Sequence, residues 1–137
     1  MAALLDPLPL GPTVARNRVV FGPHETNLAR RRAISERHVA YYRRRAVGGA
    51  GVIVVEEASV HPSDWPYERC PLAADASPGW AAVAEACRAE GALVVAALAA
   101  TSNASTTSSI SKASIHFGTS RLLTSGTRDG AHSGACE

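Results

Sequence analysis

The chain has 137 residues, 46% of them hydrophobic and 19% charged, with a net charge of +2. That length allows one ordinary domain, and the apolar content excludes a wholly disordered chain. The three cysteines, Cys70, Cys87 and Cys136, form no Cys-x-x-Cys pair, which argues against a disulfide framework or a zinc site and for reduced thiols in a cytoplasmic protein. No secretory leader is expected, because residues 4–10 are interrupted by Asp6, Pro7 and Pro9. No apolar run approaches the roughly 20 residues that span a bilayer.

Residues 1–16 read as a proline-broken lead-in. Residues 17–22, Asn-Arg-Val-Val-Phe-Gly, predict a first strand that Gly22-Pro23 ends. A polar, arginine-rich loop covers 23–34. Ser35 is a good N-cap, and the spacing of Val39, Ala40, Tyr42 or Tyr41, and Ala46 predicts a helix over 36–47. Glu36 at its positive end and Arg43, Arg44 and Arg45 at its negative end suit the helix dipole, and Gly48-Gly49 stops it. Residues 51–56 include the β-branched run Val-Ile-Val-Val, which predicts a second strand buried on both faces, as in a parallel sheet.

A long loop is expected over 57–77. Ser77-Pro78 then reads as a helix start, with the helix running to about Glu90 and Gly91 ending it. Residues 92–98 predict a third buried strand. Strand, helix, strand, helix, strand in this order implies parallel strands, in a doubly wound sheet or in part of a (β/α)₈ barrel. From Thr101 onward, 15 of the 37 residues are serine or threonine and hydrophobic periodicity nearly vanishes, apart from residues 115–117 and Leu122-Leu123. The expected organisation is therefore a structured unit over 1–100 and a poorly structured tail over 101–137, the latter disordered or the product of an aberrant gene end.

Nine arginines fall between Arg16 and Arg45. Such a run can bind nucleic acid or phosphate-bearing ligands, and it equally fits a solvated helix face. No nucleic-acid motif accompanies it, so a small nucleic-acid-binding module stands as the lesser alternative.

Three segments carry a family resemblance. They are Asn-Arg-Val-Val-Phe-Gly-Pro with His-Glu-Thr-Asn-Leu over 17–28, Arg-His-Val-Ala-Tyr-Tyr-Arg-Arg-Arg-Ala with Gly-Gly-Ala-Gly-Val-Ile-Val over 37–54, and Glu-Glu-Ala-Ser-Val-His-Pro over 56–62. Their order and spacing over about the first 98 residues resemble the old yellow enzyme family of NADH:flavin oxidoreductases. The flavour is that of the 2,4-dienoyl-CoA reductase branch, with a likeness to members associated with the mycofactocin redox system.

The resemblance implies the βαβαβ opening portion of a TIM (β/α)₈ barrel, with FMN at the C-terminal mouth of its strands and NAD(P)H as reductant. It places Pro23, His24 and Glu25 against the flavin ring, Glu57 near the flavin's polar edge, and Ala97 where the family commonly has a glutamine. Glu57 departs from the small residue usual there, and Ala99 and Ala100 stand where a glycine and a histidine are common. The implied activity passes hydride from NAD(P)H through FMN to an activated alkene or related small-molecule acceptor. The proton donor, the substrate-anchoring histidines and the phosphate site come from later strands, so no catalytic residue is expected in this chain. Neither is a metal site. The iron–sulfur cluster and the FAD domain belong to full-length relatives. A barrel takes about 250 residues, so the alternative reading is a truncated, catalytically inactive fragment whose open sheet edges favour self-association.

Overall fold

A computed structural model describes residues 3–100 and the backbone of His116 and Phe117. The elements run β1 (Leu8–Leu10), β2 (Thr13–Ala15), β3 (Val20–Phe21), α1 (Glu36–Val47), β4 (Val52–Ser59), α2 (Ala73–Ala89), β5 (Leu93–Ala99) and β6 (His116–Phe117). β3, β4 and β5 lie side by side in that order and pair in parallel, each return crossing by a helix. This is the βαβαβ opening of a TIM barrel, with no closed barrel among the described residues. β6 is antiparallel to β5, opposite Val95 and Ala96. The rest of the 101–137 segment, Cys136 included, lies outside the described residues.

Strand alternation divides the apolar residues between two faces. Ile53 and Val55 of β4 turn toward the helices and pack with Tyr42 and Ala46 of α1 and with Val83 and Cys87 of α2. Val52 turns the other way and meets Val95 and Ala15, with Leu8, Leu10, Val54 and Leu93 packed around them. The β1–β2 hairpin thus lies against the N-terminal end of the sheet's inner face. Its two-residue turn is Gly11-Pro12, with Gly11 at φ +58°. A primed hairpin turn with glycine first needs that left-handed conformation.

Four expectations are corrected. The lead-in is not featureless: its prolines sit in or beside a three-residue-per-strand hairpin. The first strand is only Val20–Phe21, not 17–22. Asn17 spends its side chain on the turn instead, donating to the Gly49 carbonyl (2.8 Å) and accepting from the Val19 amide (3.0 Å). The second helix begins at Ala73, not at Ser77, and β4 extends to Ser59. Pro78 sits inside α2 and removes one backbone donor there. The first turn is held regardless, because Leu72 donates its amide to the Arg32 carbonyl (2.8 Å) and Asp75 donates back to Leu72 (3.0 Å). α1 matches its expected span, Glu36–Val47, and its Ser35 cap.

Candidate functional site at the C-terminal ends of the parallel strands

β4 carries an irregularity between Val55 and Glu57. Val55 pairs with Ala96 and Glu57 with Ala97, so Glu56 is an extra residue with no partner on β5. Bulges of this kind re-aim side chains. Without it, Glu56 would follow Val52 and Val54 onto the inner face. With it, Glu56 joins Val55 on the helix side, and Glu57 takes the inner face beside Ala97. The two adjacent carboxylates therefore serve different environments, as alternation alone also implied.

Glu56 is fully buried and accepts from four donors. They are His38 Nε2 (2.5 Å), Thr26 Oγ1 (2.5 Å), the Thr26 amide (3.2 Å) and Tyr67 Oη (2.6 Å). His38 Nδ1 accepts from the Ser35 amide at the α1 cap (2.9 Å), which leaves Nε2 to carry the proton toward Glu56. The Glu56 amide donates to Tyr42 Oη (2.7 Å). Burial is the largest single influence on the Glu56 carboxyl and pushes its pKa up, but the hydrogen bonds from His38, Thr26 and Tyr67 together outweigh it and hold the pKa below the ordinary value. Burial, reinforced by the Glu56 hydrogen bond, pushes the Tyr67 phenol far up, so it stays a donor. One carboxylate thus ties the β3–α1 loop, helix α1 and the β4–α2 loop together.

On the inner face, Glu57 is partly exposed, and its pKa is raised, first by burial and then by the field of Glu25. The β3–α1 loop and the end of β4 therefore bring two carboxyls near each other at the strand ends. Ala97, Glu57's partner across the sheet, is nearly buried. Pro23, His24 and Glu25 are all exposed. The His24 ring leans away from the inner face and stacks on Tyr41 of α1, with centroids 6.2 Å apart and planes 10° apart. Arg45 covers the Tyr41 ring at 3.4 Å. So Glu57 and Ala97 share the inner face, Glu25 acts on Glu57 through its field, and the His24 side chain turns to Tyr41 instead.

Nothing in the helical pattern of 36–47 singles out His38. The structure makes it a fully buried hydrogen-bonding partner of Glu56. A histidine three residues after a serine cap was the available signal, because that position faces back toward the cap. His61 bonds locally to Ser63 (2.8 Å) and is exposed. Burial pushes the Cys87 thiol up to about 11 and the Cys70 thiol up as well, which keeps both unreactive. Among the described residues, no group of three or more His, Cys, Asp or Glu is placed to hold a metal ion.

Parallel strands with helices on one side, and a cluster of loop residues where the strands end, define a wall of an α/β barrel with its ligand face at that end. The chain belongs to the NADH:flavin oxidoreductase / NADH oxidase family, the old yellow enzyme family, whose signature matches residues 3–125. That match continues past residue 98, where the motif resemblance stopped. The chain is 33% identical over 99 residues to a metal reductase of Desulforamulus reducens, covering 72% of this chain and 15% of that protein. Among solved structures it is similar to a variant of NCR from Zymomonas mobilis, at 27% identity and a TM-score of 0.64, covering 72% of this chain and 32% of the other. Morphinone reductase in complex with tetrahydroNAD is similar at 28% identity and a TM-score of 0.64, covering 72% and 27%. The chain thus spans about a third or less of the length of these proteins.

Proposed function

We propose that this chain builds part of the FMN-binding wall of an ene reductase that oxidises NAD(P)H and reduces an activated alkene or a related small molecule. The observation that carries the reading is the pairing of Glu57 with Ala97 on the inner face at the C-terminal ends of β4 and β5, where barrels of this kind hold their ligands. The small fraction of the curated relative that this chain spans fits a branch with further domains, such as the 2,4-dienoyl-CoA reductase-like one.

The residues present suit one edge of a flavin. Pro23 and the backbone at His24 and Glu25 offer an exposed loop against which a planar ring can lie. Ala97 beside Glu57 leaves space where a longer side chain would stand. Glu57 sets a condition, since an ionised carboxylate near Glu25 opposes an electron-rich ring. Burial and the field of Glu25 raise its pKa, and once protonated at low pH it can donate a hydrogen bond to a ring acceptor. FMN, when bound, supplies the hydride chemistry. The chain's own residues position the ring and exclude water from one side of it. No proton donor is assigned to this chain. A cytoplasmic location goes with this reading, and among the described residues no helix is long and apolar enough to cross a membrane.

The test is to purify the 137-residue chain, add FMN, remove the excess, and record the visible spectrum with circular dichroism. A stoichiometric flavin signal on a folded protein supports the proposal. A folded protein that retains no flavin removes it for this chain and leaves the reading of a catalytically inactive fragment. Where flavin is retained, its affinity should rise as pH falls through the Glu57 titration, and Glu57→Gln should bind more tightly at neutral pH.

A further inference from the structure

On the outer rim of the same end, the β3–α1 loop makes a tight hairpin turn. Arg30 and Ala33 exchange backbone hydrogen bonds of 3.2 and 3.0 Å, with Arg31 and Arg32 between them at φ +51° and +61°. Two consecutive left-handed residues define the turn that favours Asn-Gly, because a Cβ crowds the backbone there. Two arginines occupy it instead.

Arg32 explains itself. Its guanidinium donates to the carbonyls of Cys70 (3.2 Å), Pro62 (2.6 Å) and Asp64 (2.7 Å), and so staples the turn to the β4–α2 loop. Its charge also lies 4.0 Å from the Trp65 ring centroid. Arg31 has no such explanation. Its side chain and that of Arg30 are exposed and make no hydrogen bond or ion pair among the described residues. Outliers of backbone conformation that no local contact rewards cluster at functional sites.

What these residues surround is a cavity of about 460 Å³ lined by Arg30, Arg31, Arg32, Trp65, Glu68 and Arg69. Four arginines and one glutamate line it, the Arg32 guanidinium already held by its three carbonyls, and Glu68 lies 3.9 Å from Arg69 Nε on an exposed edge. Trp65 is 55% exposed despite its size. Arginine forks match phosphate oxygens, and an indole with Arg32 on one face and more than half of its surface exposed can stack a planar heterocycle. We infer that this rim pocket binds the adenosine diphosphate part of a nucleotide-bearing ligand, with Arg31 and Arg69 on the phosphates and Trp65 on the base. The source is either a dinucleotide reductant or a nucleotide-tailed acceptor such as a coenzyme A thioester, since both carry that part. The site is separate from the inner-face residues assigned to FMN, so it can be tested without flavin.

The 137-residue chain is titrated with ADP at low salt while tryptophan fluorescence is followed. Saturable quenching that disappears in Trp65→Phe and weakens as salt is added is the expected result. Arg31→Asn should weaken ADP binding about tenfold with a melting temperature at or above that of the parent, because asparagine suits the left-handed turn. Arg69→Gln should weaken it similarly. ADP binding that is absent, or unchanged in both variants, overturns the proposal. So does a lower melting temperature for Arg31→Asn, which would make Arg31 a fold-supporting residue. NADPH binding more tightly than coenzyme A identifies the reductant as the source, and the reverse order identifies the acceptor. A single-stranded oligonucleotide that outcompetes ADP with a steep salt dependence overturns the pocket in favour of a nucleic-acid surface.

Discussion

Glu56 shows how a buried charge can be held without being an acid–base group. Each carboxylate oxygen has two donors, so burial costs are offset within the network rather than by solvent. Removing one member leaves the others unpaired, and that loss exceeds the worth of any single bond. Glu56→Gln should cost about 3 kcal/mol of stability, because the new amide points its own hydrogens at the donors of His38, Thr26 or Tyr67. Urea unfolding at neutral pH checks this; a loss under about 1 kcal/mol would mean that the network is not the tie between the loops. The pH dependence has a definite sign. The folded pKa lies below the ordinary 4.5, so the stabilisation is present above pH 4.5 and is lost as pH falls through the folded value. Glu56→Gln should therefore flatten the acid limb of the stability curve.

The same residues show what a sequence can reveal about a site. Glu57 and Ala97 were legible as neighbours only through the family resemblance, since strand alternation gives the face but not the register. The bulge that puts Glu57 on the inner face leaves no mark in a run of β-branched and acidic residues. His38 was missed because its partner is 18 positions away, and burial of a histidine is invisible to periodicity. Arg31 and Arg32 read as part of a charge run, and only the backbone angles set them apart.

Among the elements, α1 was fully legible because its signals are local: a serine cap, acids first, arginines last and a glycine pair. β4 and β5 were legible from composition. The start of α2 was not, because a proline that looks like a first-turn residue is accommodated five residues into the helix. The β1–β2 hairpin fell below the length at which alternation is countable.

Packing between α2 and the β3–α1 loop yields an element-scale test. A Cβ on Gly79 would collide with Cβ and Cγ2 of Ile34 and lie 2.8 Å from its carbonyl oxygen. Ala is worth up to about 1 kcal/mol over Gly in a helix, whereas forcing a group into a packed contact costs about 1–3 kcal/mol. Ile34 is buried in the core and its carbonyl belongs to the backbone, so the collision wins. Gly79→Ala should lower the melting temperature. Gly22→Ala, where a Cβ meets nothing within 4 Å, should leave it nearly unchanged. Equal melting temperatures for the two variants would show that the α2 contact is looser than drawn.

At the scale of the whole molecule, the described sheet has more pairing capacity than it uses. β3 contributes only two residues and pairs only with β4, and β6 covers two residues of β5 out of seven. Val20 is 54% exposed and Val60 49% exposed, both at ends of the sheet. Unpaired strand edges with apolar neighbours template further pairing, and barrels remove that hazard by closure. In a chain that spans about a third or less of the relatives it matches, the remaining edge of β5 is the strand position against which a barrel would place its next unit. We therefore predict that the 137-residue chain self-associates, with a weight-average mass that rises with concentration in sedimentation velocity. A lysine in place of Leu98, on the free part of the β5 edge, should reduce that rise, since edge charges block strand addition. A chain that sediments as a monomer at every concentration, with native circular dichroism, would mean that residues of the 101–137 segment or the β1–β2 hairpin protect the edges well enough for the unit to stand alone.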